Sequence, residues 1–262
     1  MNILVLDGGG SKGLASAHLV DLFEQGVAPV QKCFDMVCGV STGAVLGAYL
    51  AEGGSGAGAV MAYRDLLPRL FAPVGIRLWR GITCPKYSGD VLDQELQLIL
   101  GDDTMGELDL DLMILATKLS PSVGTKVWKS WDKDDLSMRV RDAVRASASA
   151  PSYFNPHTIG DEVYVDGALC TNEPSMCALA EAVRRQGTIA KHNILTVRCS
   201  SDQDFTTAEA QDKTAPLGWL WDISGVMSRC SEQVAEYQSH QILGWASHVV
   251  DLGIPGEIDQ SS

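Results

Sequence analysis

The chain has 262 residues, 45 % of them hydrophobic and 20 % charged, with 33 acidic against 20 basic side chains and a formal net charge of −13. That apolar content supports a sizeable folded core and excludes a chain that is disordered as a whole. The acidic balance argues against a nucleic-acid partner, which needs a basic surface to neutralise phosphates, and opposes global attraction to anionic lipid.

Ile3–Leu6 is a short apolar run bounded by Asp7-Gly8-Gly9-Gly10, consistent with a buried parallel strand. Leu14–Gln25 follows as a helix, with Leu14, Ala17, Leu19, Leu22 and Phe23 near one face. Met36–Cys38 is predicted as a second strand, running through Gly39-Val40-Ser41-Thr42-Gly43 into a helix over Ala44–Leu50. Gly53–Gly58 reads as a flexible connection. Tyr63–Tyr87 sets Arg64, Arg69, Arg77, Arg80 and Lys86 among leucines, Phe71 and Trp79. In an acidic chain this is a candidate lid or interfacial contact, set against a helix whose arginines are simply solvated. Leu108–Thr117 and Lys126–Trp131 are expected as strands, Leu136–Ser147 as a helix, Val163–Val165 as a strand and Ser175–Gln186 as a helix. Ile194–Arg198 is a further strand, and a helix is expected within Leu217–Gly244. Strands alternating with helices predict an α/β fold, a three-layer α/β/α arrangement around a central, mostly parallel sheet. No repeat or boundary divides the sequence, so residues 1–262 are read as one domain, and the tail Gly256–Ser262 stops in a way that fits a longer natural C-terminus.

The seven cysteines are scattered with no Cys-x-x-Cys pair, which removes zinc-ribbon and thioredoxin-like readings and favours free thiols in a reducing compartment. The start, Met1-Asn2-Ile3-Leu4, has no basic region before its apolar run and reads as a strand, not a signal peptide. No stretch has the length of a membrane span, and the expected location is the cytoplasm.

Two loops carry candidate chemistry. Gly39-x-Ser41-x-Gly43 sits at a strand-to-helix turn, where the flanking glycines admit a strained serine whose Oγ stands clear of the fold. Such a serine suits acyl transfer. The earlier loop, Asp7-Gly8-Gly9-Gly10-Ser11-Lys12-Gly13, matches a dinucleotide fingerprint literally. That reading, an oxidoreductase, needs an acidic residue at the end of the second strand, where Gly39-Val40-Ser41 stands instead. A Walker-type loop needs Gly-Lys-Ser/Thr and meets Ser-Lys-Gly. What remains is a nest of backbone N–H groups, an oxyanion hole for the serine, or a plain glycine turn. None of the five histidines (His18, His157, His192, His240, His248) has the setting of a general base. Val163-Tyr164-Val165-Asp166-Gly167 is more distinctive, an apolar strand ending in Asp-Gly, although a plain turn uses the same dipeptide.

Taken in order, Asp7–Gly13, Gly39–Gly43, Ala146–Phe154 and Asp166-Gly167-Ala168 with Asn172 and Pro174 resemble the patatin-like phospholipase family. The resemblance implies a dyad of Ser41 and Asp166 without histidine and an oxyanion hole from the backbone of Gly8, Gly9 and Gly10. It also implies a supporting basic residue at Lys12, with Gly39 and Gly43 shaping the elbow. No cofactor and no metal are implied. The implied substrate is a membrane phospholipid or galactolipid, met by peripheral contact with the membrane. A non-catalytic or signal-activated lipid-binding effector on the same fold is the remaining alternative. Ala146–Phe154 holds no obvious chemistry of its own, and Tyr153 and Phe154 are expected in either an acyl groove or the core.

Overall fold

Alternate residues of each central strand face opposite helical layers, and this period of two organises the molecule. In β1 (Asn2–Leu6), Leu4 and Leu6 enter one buried cluster while Ile3 and Val5 enter another. β2 (Met36–Val40) divides the same way, with Val37 against Met36, Cys38 and Val40. β3 (Asp111–Ser120) places Leu112, Ile114 and Ala116 on the first face and Met113 and Leu115 on the second. Burial on both faces is why these strands read as unbroken apolar runs. In this computed structural model the described residues are 1–72, 85–189, 191–198 and 223–251.

The sheet runs β5 (His157–Ile159), β6 (Glu162–Val165), β3, β2, β1, β7 (Asn193–Arg198), β8 (Ser247–Asp251). From β3 through β8 every neighbouring pair is parallel. β6 and β4 (Gly124–Lys129) join β3 antiparallel, and β5 joins β6 antiparallel. One face carries α1 (Gly13–Gly26), α3 (Thr42–Ala51), α4 (Gly56–Leu70), α5 (Gly89–Leu100) and α6 (Val140–Ser147). A short α2 (Val30–Cys33) leads into β2. The other face carries α7 (Ser175–Gln186) and α8 (Ile223–Leu243), whose Leu243 packs with the second cluster. The expected three-layer α/β/α arrangement with a mostly parallel sheet is therefore what forms.

Several element boundaries differ from the sequence expectation for identifiable reasons. Gly53–Gly58 is not a loose connection throughout. Ser55 caps a helix, its side chain accepting the Gly58 N–H at 3.2 Å, and α4 begins at Gly56. A Cβ at Gly56 would lie 2.5 Å from Asp21 Cα, so this glycine serves the close approach of α4 to α1. The helix expected over Leu136–Ser147 begins only at Val140. The preceding residues are held elsewhere: the carbonyls of Leu136 and Met138 accept the N–H groups of Gly106 (3.0 Å) and Met105 (2.8 Å). β3 starts later and runs further than Leu108–Thr117. β4 occupies Gly124–Lys129 because Ser130, after it, turns both its backbone N–H and its hydroxyl onto Leu112. α5 was not expected at all, although Leu92, Leu96 and Leu100 are buried at the spacing of successive turns. Of the basic and apolar segment, α4 accounts for residues as far as Leu70, and Arg69 pairs with Glu95 at 3.2 Å. Arg77, Trp79, Arg80 and Cys84, like Cys199, Leu217–Asp222 and Gly256–Ser262, lie outside the described residues.

Candidate active site

The edge of β3 brings the serine and the aspartate together. β4 takes one edge of β3 across Met113–Lys118. β2 must then use the other edge, in parallel, with Val40 opposite Leu115. β6 enters that same edge from the opposite direction, with Val165 opposite Thr117. The next residue of each strand is Ser41 and Asp166, so both arrive beside Ala116. Ser41 Oγ donates to Asp166 Oδ2 at 2.7 Å.

The elbow is strained as the sequence pattern suggests. Ser41 has φ 54° and ψ −123°, a region that costs a non-glycine residue about 1–3 kcal/mol. The chain around it is tight: a Cβ at Gly39 would meet the Gly43 carbonyl oxygen at 2.3 Å, and one at Gly43 would meet the Leu6 carbonyl oxygen at 2.1 Å. α6 supplies the restraint. Ser147 Oγ accepts the Ser41 N–H at 2.9 Å and donates to the Leu115 carbonyl at 2.6 Å, tying the elbow to β3. Two residues on, the Ser149 carbonyl accepts the Asp166 N–H at 3.0 Å, while Arg145 donates to the Ser149 hydroxyl. The small-residue stretch Ala146–Phe154 thus holds both halves of the pair, a role its composition did not reveal.

Asp166 is 3 % exposed. Its Oδ1 accepts the Ala168 N–H at 2.8 Å, and its backbone carbonyl accepts the Thr117 hydroxyl at 2.9 Å. Burial raises its carboxyl from an ordinary 3.8 to about 6, and the bonds from Ala168 and Ser41 hold it from rising further. At neutral pH the group is therefore mostly ionised, yet a stronger base than a solvated aspartate. Each of these placements is local packing turned into acid–base chemistry.

Ser41 and Asp166 line a cleft of about 300 Å³, together with Gly9 and Gly10. Its remaining walls are mostly apolar, with Leu66, Leu67 and Leu70 from α4, Phe71 just after it, Val45 from α3, Leu92 from α5, and Tyr153 and Phe154. The last two face the cleft, and Phe154 is also buried in the main cluster. Gly10 has φ +56°. The N–H groups of Gly9 and Gly10 have no hydrogen-bond acceptor among the described residues. The Gly8 N–H, expected beside those of Gly9 and Gly10 in the oxyanion hole, is instead accepted by the Asn172 backbone carbonyl at 3.2 Å, and Asn172 Nδ2 donates to the Gly8 carbonyl at 3.1 Å. Lys12 is buried in the short turn before α1. None of the histidines lines the cleft; His192, for example, is buried against Thr188 near the N-terminus. Thr117, Ser147, Ser149 and Glu232, which touches Asn172, belong to the surroundings of the site and carry no sequence pattern that singles them out. Among the described residues no helix is long and apolar enough to cross a membrane.

A three-layer fold whose strained serine touches a buried aspartate beside a glycine-rich loop defines a class of acyl-hydrolase-like protein. The family model for patatin-like phospholipase matches residues 4–179, and the chain belongs to that family. Patatin-2-Kuras 2 of Solanum tuberosum is 25 % identical over 273 residues, covering 90 % of this chain and 71 % of its own length. The cGAMP-activated phospholipase of Escherichia coli (strain TW11681) is 27 % identical over 202 residues, 70 % of this chain and 56 % of that protein. Among solved structures, VipD from Legionella pneumophila superposes with a TM-score of 0.52 at 14 % identity, over 96 % of this chain and 61 % of VipD, a likeness of fold.

Proposed function

We propose that this chain is a metal-independent lipid acyl hydrolase of the phospholipase A type, cleaving a fatty-acyl ester of a membrane glycerolipid. The observation that carries the reading is the 2.7 Å bond from Ser41 Oγ to the buried Asp166 carboxylate in the lining of a mostly apolar cleft. Asp166 Oδ2 accepts the hydroxyl proton as Oγ bonds to the ester carbonyl carbon. The carbonyl oxygen takes the negative charge and receives hydrogen bonds from the Gly9 and Gly10 N–H groups, the kind of interaction that contributes most to such steps. Collapse expels the lipid alcohol, which recovers the proton from Asp166 and leaves an acyl-Ser41 ester. Water, deprotonated by the same carboxylate, then releases the fatty acid and restores the serine. The apolar walls of α3, α4 and α5 take the acyl chain, so the substrate's tail supplies the binding and its ester the chemistry.

The test is release of fatty acid from vesicles of phosphatidylcholine or of galactolipid, with a fluorophosphonate probe reporting Ser41. The assay is run with and without cGAMP because the Escherichia coli relative bears that name. Release is expected to be unchanged by EDTA. Failure to release fatty acid from any glycerolipid, together with failure of the probe to label Ser41, would sink the proposal, and loss under EDTA restored by calcium would remove its metal independence.

The raised Asp166 carboxyl gives a second expectation. Protonated Asp166 cannot accept the serine proton, so kcat/KM on a soluble ester falls on the acid side with a midpoint at about 6, not near the ordinary 3.8. A profile flat down to pH 5 would show that another group acts as the base.

A further inference from the structure

The loop beside the serine is held from behind by a helix that the sequence left without a role. Asn172 bonds Gly8 twice, its backbone carbonyl accepting the Gly8 N–H and its side-chain Nδ2 donating to the Gly8 carbonyl, and a Cβ at Gly8 would lie 2.2 Å from Asn172 Oδ1, so this side chain packs directly against the loop. The second hydrogen of Asn172 Nδ2 goes to Glu232 Oε1 on α8 at 2.6 Å. Both Nδ2 partners are acceptors, which fixes the orientation of the amide. Glu232 is itself 5 % exposed. One turn further along α8, Glu236 accepts from Arg198 at 2.8 Å, and Arg198 donates to Asp7 Oδ2 at 3.2 Å. Two successive turns of α8 therefore reach this loop, one through Asn172 onto the Gly8 carbonyl and one through Arg198 onto the Asp7 carboxylate.

We propose that Glu232 is a positioning residue for the Gly8–Gly10 loop, acting through Asn172 to hold the Gly9 and Gly10 N–H groups where the ester oxygen develops charge. The inference rests on the hydrolase reading above. A donor displaced by a fraction of an ångström loses part of the 10²–10³-fold that one oxyanion donor typically supplies. Glu232 touches neither substrate nor Ser41, so its loss acts on the transition state and not on binding of the acyl chain.

The test measures a soluble short-chain ester, with kcat normalised to probe-titrated sites. Glu232→Leu is expected to lower kcat about tenfold and leave KM within about twofold. Glu232→Gln keeps an oxygen that accepts from Asn172 and is expected to recover most of that loss. Should the leucine variant fail to fold, Glu232→Asp replaces it, since the acceptor retreats by one methylene while the charge stays, and the same fall is expected. A wild-type kcat in the leucine or aspartate variant, a change confined to KM, or equal losses in the glutamine and leucine variants would each overturn the proposal. Ser41→Ala run in parallel separates the two readings. Activity surviving in Ser41→Ala removes the hydrolase itself, whereas an inactive Ser41→Ala beside an unaffected Glu232→Leu removes only the role of α8.

Discussion

Ser41→Ala is expected to abolish fluorophosphonate labelling and to lower kcat by on the order of 10⁵- to 10⁶-fold, the scale of removing the nucleophile from a serine hydrolase. The fold should survive. The elbow conformation at φ 54° is imposed by its surroundings, through the Ser147 bond to the Ser41 N–H and the close packing at Gly39 and Gly43, and alanine leaves all of these in place. What is lost is one hydrogen bond to a buried carboxylate, worth about 1–3 kcal/mol. Circular dichroism and thermal melting establish that the variant is folded. A folded Ser41→Ala protein that still releases fatty acid would remove the central claim about the site.

Asp166→Asn should separate stability from activity. The amide fits the same space and retains an oxygen for the Ala168 N–H. Its other end donates where the carboxylate accepted, so Ser41 has no base and kcat falls on the order of 10³- to 10⁴-fold. Stability moves the other way. The folded carboxyl titrates at about 6 against an ordinary 3.8, so the native state binds the proton more tightly and loses stability as pH rises between those values. Asparagine carries no such loss, and Asp166→Asn is expected to melt above the wild type at pH 7, by at most about 3 kcal/mol. The advantage disappears below about pH 4. Substitution of His157 or His240 should produce no comparable loss of activity. If either histidine variant is silent while Asp166→Asn works, a histidine is the base.

The central strands and the elbow were legible because their signals are local: apolar runs of four or five residues, and a serine between two glycines at a turn. Asp166 could be proposed from its motif, but its distance from Ser41 depends on a long-range register, the sharing of one β3 edge by β2 and β6. No local pattern encodes that sharing. Gly56 misled because a glycine needed for close helix packing looks, in sequence, like one needed for flexibility. Leu92, Leu96 and Leu100 carry the spacing of successive helical turns, so α5 is legible in the sequence. Ser147 and Ser149 were opaque for a different reason, since a serine in a run of small residues gives no hint of which backbone group its hydroxyl or carbonyl will meet. Glu232 was equally hidden, lying in an acidic chain where one more glutamate says nothing.

The end-to-end meeting of β2 and β6 also has a bearing on biogenesis. Ser41 leaves the ribosome 125 residues ahead of Asp166. Non-local strand pairing is slow because the intervening loop must close before any contact rewards it. A nascent or partly folded chain therefore carries an elbow without a partner, and the Ser41–Asp166 pair forms only when the antiparallel strand has docked against β3. For the lipid hydrolase proposed above, that order of assembly would keep incomplete chains inert.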